Sequence, residues 1–141
     1  MEYRRFGTDY VVRIDRGEEV MEQLTAFCRA EGVKLASVTG IGATDQVVVG
    51  LYDVEKQMYH KEELTGPMEI TSLVGSITTA GEEPYLHLHI NVCGHDLAVK
   101  GGHLNACRIS ATCELTIHCI DGRVGRKHDE ETGLNLFQFE A

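Results

Sequence analysis

The sequence predicts an α+β fold in which a mainly antiparallel, curled or barrel-like β-sheet carries one long amphipathic helix. Only one segment, residues 15–31, repeats apolar side chains at the three- and four-residue spacing of a helix. Most of the remaining chain divides into short β-prone runs separated by glycine-containing turns, a pattern typical of a curled or closed sheet. The helix needs that sheet, because one helix alone cannot bury a core.

The first elements are a hairpin and the helix. Residues 3–6 and 10–14 are β-prone and flank a glycine-containing turn, which predicts two paired strands. Asp15 and Glu18 resemble a capping pair at a helix start, and Gly32 stands where a glycine commonly ends a helix. The apolar stripe of this helix, which has to face the sheet, comprises Val20, Met21, Leu24, Phe27 and Cys28.

The remaining strands are predicted from β-prone runs that glycines interrupt at turn positions. These runs cover residues 34–41, 46–53, 58–64, 68–77 and 107–120, with a hairpin between the last two. Residues 127–132 are predicted to form a charged loop. A last strand over residues 134–139 is short and apolar, so we expect it to dock, with a neighbouring subunit as one candidate surface.

Length and composition predict one domain over residues 1–141, because a chain of 141 residues that is 43% hydrophobic can bury a core of ordinary size. No apolar run approaches the roughly 18 residues of a membrane span, and the N-terminus lacks the pattern of a signal peptide. Five cysteines without a CxxC pair favour reduced thiols over a disulfide framework. We therefore expect a cytoplasmic protein that does not enter the membrane.

The charge balance argues against direct DNA binding. The chain has 13 Lys and Arg against 22 Asp and Glu, which gives a formal net charge of −9. Nonspecific affinity for nucleic acid depends on basic side chains that neutralise phosphates, and a negative protein repels them. The basic residues form two clusters, Arg4-Arg5 and residues 123–127, and acidic residues follow the second cluster at once.

Three histidines form a candidate metal site. Apolar and other residues alternate over positions 85–92, which predicts a strand with His87 and His89 on its non-aliphatic face, about 6–7 Å apart along the chain. A turn at Gly94 and Asp96 leads into a returning strand, and the bend of a glycine pair lets the backbone come close beside His103. Three converging imidazoles fit an open tetrahedral zinc site with water or substrate in the fourth position. Imidazole also suits nickel, copper or iron. The alternative for His87 and His89 is a pair of half-exposed histidines on a strand, without a metal.

Glu69 is the candidate catalytic residue near this site. It is in phase with Leu73 and Ile77 on its predicted strand, where an unpaired carboxylate among apolar side chains would be costly. Its partner is left open by the sequence. A metal-bound water or a histidine N–H would make Glu69 a general base or a support of the metal ligands, whereas Arg108 would form a structural ion pair with it.

Several other residues are assigned structural roles. Glu114 is expected on an exposed strand face or in an intersubunit pair. Cys107, Cys113 and Cys119 share a face with aliphatic residues and are expected to be small core residues. The other histidines lie in polar or turn contexts, which predicts surface positions for His60, His95, His118 and His128.

Five short segments form a combination that is specific, although each alone is a weak signal. They are MEITSLVGSI at 68–77, His87-Leu88-His89, Val99-Lys100-Gly101-Gly102-His103-Leu104, Thr112-Cys113-Glu114 and Thr132-Gly133-Leu134. In this combination nearly the whole chain resembles the PPC domain family (plants and prokaryotes conserved), which is often labelled DNA-binding. The resemblance implies an α+β fold with a central antiparallel sheet, assembly as a homotrimer, and a metal held by His87, His89 and His103.

Three functions from different classes stay open on these grounds. The first is a trimeric metal-binding module with a regulatory role, which binds a protein or a small-molecule partner. The second is a small zinc-dependent enzyme of lyase or hydrolase type, in which the ion acts on an oxygen-rich metabolite. The third is direct DNA binding, which the family label suggests and the charge balance disfavours.

Overall fold

The computed structural model describes residues 1–139, and this part of the chain forms eight strands and one helix. In chain order they are β1 (Glu2–Phe6), β2 (Asp9–Asp15), α1 (Val20–Glu31), β3 (Ala36–Asp53), β4 (Met58–Ala80), β5 (Glu83–Cys93), β6 (Val99–Cys119), β7 (Gly125–Asp129) and β8 (Leu134–Gln138). No helix in these residues has the length and apolar character that a membrane crossing requires. The predicted α+β fold, with one helix and a mainly antiparallel, curled sheet, is confirmed.

Four of the strands close into a ring. β6 pairs with β3, β3 with β4, β4 with β5, and β5 returns to pair with β6, all antiparallel. The ladder that completes this ring is short and runs from His89 opposite His103 to Cys93 opposite Val99. β2 extends the sheet beyond β6, and β1 forms the predicted hairpin with β2. The sheet is therefore a small barrel with two added strands.

Long strands replace several of the predicted short ones. β3 continues through Gly40 and Gly42, and β4 continues through Gly66 and Pro67, although the sequence predicts turns at both places. The register of β3 shifts between Gly40 and Gly42, and a Cβ at Gly42 would lie 2.8 Å from the Cα of Cys113 in β6. The predicted breaks are wrong because glycine within a strand serves a bulge or a close approach as readily as a turn.

The helix α1 begins later than the sequence predicts. Glu19, rather than Asp15, is the N-terminal cap, and its carboxylate accepts a hydrogen bond from the backbone N–H of Glu22 at 2.7 Å. The carboxylate of Glu18 accepts instead from the N–H of Asp15 at 2.8 Å, a contact that precedes the helix. The predicted end is confirmed, because Gly32 adopts the left-handed conformation (φ 65°) that favours glycine.

The core lies between α1 and the sheet, behind the strands that carry the candidate histidines. The helix contacts β5 and β6. Its buried residues are Val20, Leu24, Phe27 and Cys28. Cys107 and Cys113 are buried as predicted, and burial raises the pKa of their thiols to about 11 and about 12. Cys119 is only partly buried. The first two cysteines are thus uncharged packing residues at neutral pH.

Candidate metal centre

His87 and His89 are two residues apart on β5, so both side chains lie on the face of the strand opposite the core. The intervening and following residues on the other face are buried, namely Leu88, Ile90 and Val92. His103 comes from β6, where it stands opposite His89 in the ladder that closes the barrel. The ring centroid of His87 lies 5.4 Å from that of His89 and 5.3 Å from that of His103. The structure therefore brings the three predicted residues together.

The imidazole nitrogens of these rings are close enough to share one ion. One nitrogen from each ring lies within 4.8 Å of the other two. Tetrahedral zinc with bonds of about 2.0–2.1 Å needs nitrogens about 3.4 Å apart, a spacing that small side-chain rotations would reach. Within residues 1–139, no carboxylate or thiolate belongs to this group. The donor set fits a cation held by three histidines with one position open to another ligand.

Burial and nearby charge favour the neutral form of two of the rings. The pKa of His87 is lowered by burial, and further by the positive charge of Arg126 and by His89. The pKa of His103 is lowered by burial first, and then by the other two histidines and Lys61. Neutral imidazole is the form that binds metal, so these two rings are prepared to accept a cation at neutral pH without losing a proton.

Two glycines let the neighbouring strands approach β6 closely beside His103. A Cβ at Gly102 would lie 2.6 Å from the carbonyl oxygen of Gly50 in β3, and a Cβ at Gly101 would lie 3.0 Å from the Cα of Asn91 in β5. The close backbone approach is therefore present, but the predicted bend at this glycine pair is wrong. β6 continues through both residues as a strand, because they pair with Asn91 and Ile90 of β5.

A cavity of about 700 Å³ opens beside the three histidines, which contribute to its lining. Residues of β3, β4, β7 and β8 also line it. Tyr59 packs edge-on against His103, with ring centroids 6.0 Å apart, and its hydroxyl accepts a hydrogen bond from the side-chain amide of Asn105 at 2.7 Å. Cavities of this volume are typical of sites for small molecules. A ligand in this one would be in reach of an ion at the histidines.

Arg126 lines the same cavity, a role that its place in the basic cluster at 123–127 does not indicate. Its guanidinium carbon lies 4.4 Å from the ring centroids of both Tyr85 and Phe137. The Nε donates a hydrogen bond to the Thr78 hydroxyl at 2.9 Å, and Nη1 donates to the carbonyl oxygen of Asn135 at 3.1 Å. Contacts on four sides therefore fix the orientation of this cation.

The hairpin that carries Arg126 differs from the C-terminal structure that the sequence predicts. The predicted charged loop at 127–132 is partly wrong, because Gly125–Asp129 forms β7 and pairs with β8. The last strand is confirmed over Leu134–Gln138. Gly133 has a φ of 73°, which suits the turn between the two strands. This glycine, between two short β-prone runs, is the signal that could have indicated the hairpin.

Glu69 does not share the apolar face on which the sequence places it. A register shift between Ile70 and Ser72 changes the phase of β4, so that Ile70 is buried and Glu69 is exposed. Glu69 stands opposite Cys93, four residues along β5 from His89, which is roughly 13 Å at a rise of about 3.3 Å per residue. The structure does not bring Glu69 to the histidines, and the expectation that burial demands a partner for it is wrong.

The other residues that the sequence singles out lie away from the cavity. Arg108, the alternative partner of Glu69, instead donates two hydrogen bonds of 2.9 Å to the carboxylate of Asp45. Glu114 is exposed, as predicted. The four remaining histidines are exposed as well, also as predicted: His60, His95, His118 and His128.

Comparison with protein families gives one match. The Plants and Prokaryotes Conserved (PCC) domain matches residues 1–121, which is most of the chain and includes all three histidines. The same domain is also abbreviated PPC. No curated protein sequence matches the chain.

Several solved structures share the fold over nearly the whole chain. A metal-containing protein from Archaeoglobus fulgidus is 34% identical, with a TM-score of 0.88 over 98% of this chain and 97% of its own. A provisionally assigned DNA-binding protein from Bacteroides thetaiotaomicron is 31% identical, with a TM-score of 0.96 over 99% and 98%. A plant- and prokaryote-conserved protein from Pyrococcus horikoshii is 27% identical, with a TM-score of 0.85 over 99% and 95%.

Proposed function

The chain belongs to the Plants and Prokaryotes Conserved domain family, and from that premise we propose that it binds a divalent transition metal through His87, His89 and His103. The convergence of three imidazole nitrogens within 4.8 Å, from two paired strands, carries this proposal. The similar protein from Archaeoglobus fulgidus, which is described as metal-containing, supports it. Zinc is the ion we propose, because three neutral nitrogens and an open fourth position are typical of its non-structural sites.

Elemental analysis of the full chain tests the metal proposal. We expect about one zinc ion per chain after purification without added metal, and recovery of the same content when chelator-treated protein is given zinc. Parallel reconstitution with nickel, copper and iron would rank the ions that imidazole also accepts. Trace metal in the native protein, together with no zinc uptake at micromolar concentration, would contradict the proposal.

We propose a regulatory module that binds a small molecule at the metal, acting in the cytoplasm, as the role of this site. The cavity beside the histidines supports ligand binding. Hydrolytic or lyase chemistry on an oxygen-rich metabolite is the second candidate, since a bound zinc ion supplies Lewis acidity at an open position. The binding role is favoured because, within the described residues, no carboxylate joins the histidine group to move a proton.

Direct DNA binding is disfavoured by the surroundings of the basic residues, and we predict that it is absent. In the cluster at 123–127, Arg123 pairs with Glu82 at 3.1 Å and Arg126 is enclosed between two aromatic rings. Neither guanidinium stands free on an open surface where a duplex phosphate would meet it. Fluorescence anisotropy with random and AT-rich duplexes should show no saturable binding at low micromolar protein in about 0.15 M salt, where nonspecific binders have Kd values of roughly 10⁻⁴–10⁻⁶ M. Saturable binding that weakens steeply with added salt would reinstate DNA as the ligand.

We propose that the protein assembles as a homotrimer. Three large apolar residues at the end of the described chain are exposed: Leu136 by 43%, Phe137 by 48% and Phe139 by 76%. An exposed apolar segment of this kind is typical of an interface, and a second copy of the chain would cover it. Light scattering on the purified protein should give three times the chain mass of 15.6 kDa. A monomer mass at micromolar concentration would refute the assembly.

A further inference from the structure

One nitrogen of the Arg126 guanidinium is buried without a partner. Nε and Nη1 have hydrogen-bond acceptors, whereas Nη2 is buried and has no acceptor in the described part of the chain. Buried polar groups in folded proteins are nearly always paired, and an unpaired donor on a charged group is especially costly. This donor therefore calls for an acceptor that residues 1–139 do not supply.

The position of Arg126 indicates where that acceptor comes from. Arg126 lines the same cavity that His87, His89 and His103 line. The exposed ring of Phe137 covers the guanidinium at 4.4 Å. Phe137 belongs to β8, which pairs only with β7 among the described strands. An acceptor that enters the cavity would therefore reach Arg126 beside the ring of Phe137.

We propose that Arg126 binds the carboxylate of a small ligand, and that another oxygen of the same ligand, outside the carboxylate, binds the metal at the histidines. Arginine suits this role because its guanidinium stays charged, and Nη2 can donate a charge-assisted hydrogen bond to a carboxylate oxygen while Nε and Nη1 keep their protein acceptors. Leu51, Leu134 and Leu136 also line the cavity and would contact a short aliphatic part of the ligand. The inference rests on the proposed metal site and adds the class of ligand, a small carboxylate that carries a hydroxyl or carbonyl oxygen for the metal.

Calorimetric titration of the zinc-loaded full chain with 2-hydroxy-3-methylbutanoate and with its neutral amide tests the proposal. Both probes keep the metal-binding oxygen and the aliphatic group, but only the first carries a carboxylate. In Arg126→Gln we expect the affinity for the carboxylate to fall about tenfold or more, as for loss of a charged hydrogen bond, and the affinity for the amide to change little. Lys127→Gln is the matched control, because it removes the neighbouring, exposed positive charge on the same strand.

Zinc content measured on the same samples separates this proposal from the metal site itself. Full zinc with unchanged carboxylate affinity in Arg126→Gln would overturn the role of Arg126 and leave the metal site standing. Absence of zinc from the wild type would overturn the metal site, and the titration of the metal-free chain would then still decide whether Arg126 binds the carboxylate. If circular dichroism shows that Arg126→Gln is unfolded, Arg126→Met decides, since it removes the charge but keeps a long unbranched side chain between the two rings. Retained carboxylate affinity in that variant would overturn the proposal.

Discussion

Replacing His103 by alanine is expected to remove nearly all bound metal from the purified protein. The variant keeps two imidazoles, both from β5, and loses the ligand that β6 contributes. Three ligands are close to the minimum for tight binding. Mutation of a residue that only hydrogen-bonds to a metal ligand already lowers metal affinity about 10–100-fold, so we expect loss of a ligand to lower it by about 100-fold or more. The same loss is expected for His87→Ala and His89→Ala. Elemental analysis and competition with a chromogenic chelator measure it.

The matched control for these variants is His95→Ala, which removes an exposed imidazole from the turn between β5 and β6. Its metal content should equal that of the wild type. Full occupancy in all three site variants would eliminate the histidine site, whereas a loss in the control as well would point to a general effect of the turn.

Replacing Gly75 by alanine is expected to destabilise the barrel and to lower its metal affinity together. A Cβ at Gly75 in β4 would collide with the carbonyl oxygen of His87 and lie 2.8 Å from the Cα of Leu88. Both are backbone atoms of β5 and cannot rotate away, so the ladder has to separate where it carries His87. Overpacking of this kind costs about 1–3 kcal/mol in free energy of unfolding.

Urea denaturation of the metal-free protein and zinc competition measure the two effects of this substitution. Gly94→Ala is the control, because a Cβ there would meet only the carbonyl oxygen of Pro67, at an ordinary 3.9 Å. An unfolding midpoint for Gly75→Ala equal to that of the wild type would show that β4 and β5 tolerate the added methyl group and that the predicted displacement of His87 does not occur.

The strand and ligand positions around the histidines could be predicted because their signals are local. Alternation over residues 85–92 assigns each side chain to a face, and the turn after Cys93 returns the chain so that His103 reaches His89. The prediction of Gly32 as the helix end is local in the same sense. Each of these inferences needs only the residues within one element or one hairpin.

The features that could not be predicted depend on partners distant in sequence. Gly40 and Gly42 look like breaks until β6 is known to pass close beside them. The phase of Glu69 follows from a register shift in its pairing with β5, which local periodicity does not contain. The role of Arg126 depends on its contact with Tyr85 and on the cavity that it shares with the histidines. Tyr85, His87 and His89 precede it by about 40 residues and His103 precedes it by 23, so only the folded chain brings them together.

The short ladder between β5 and β6 gives the proposed ion a second consequence. His89 and His103 face each other where the barrel is joined, so an ion bound to both rings would link the two strands across that seam. Binding free energy that is available only to the closed form stabilises that form by mass action. Opening of the barrel and release of the ion would then be one event. The ion would stabilise the closed barrel, and the size of that stabilisation would depend on the concentration of free metal around the protein.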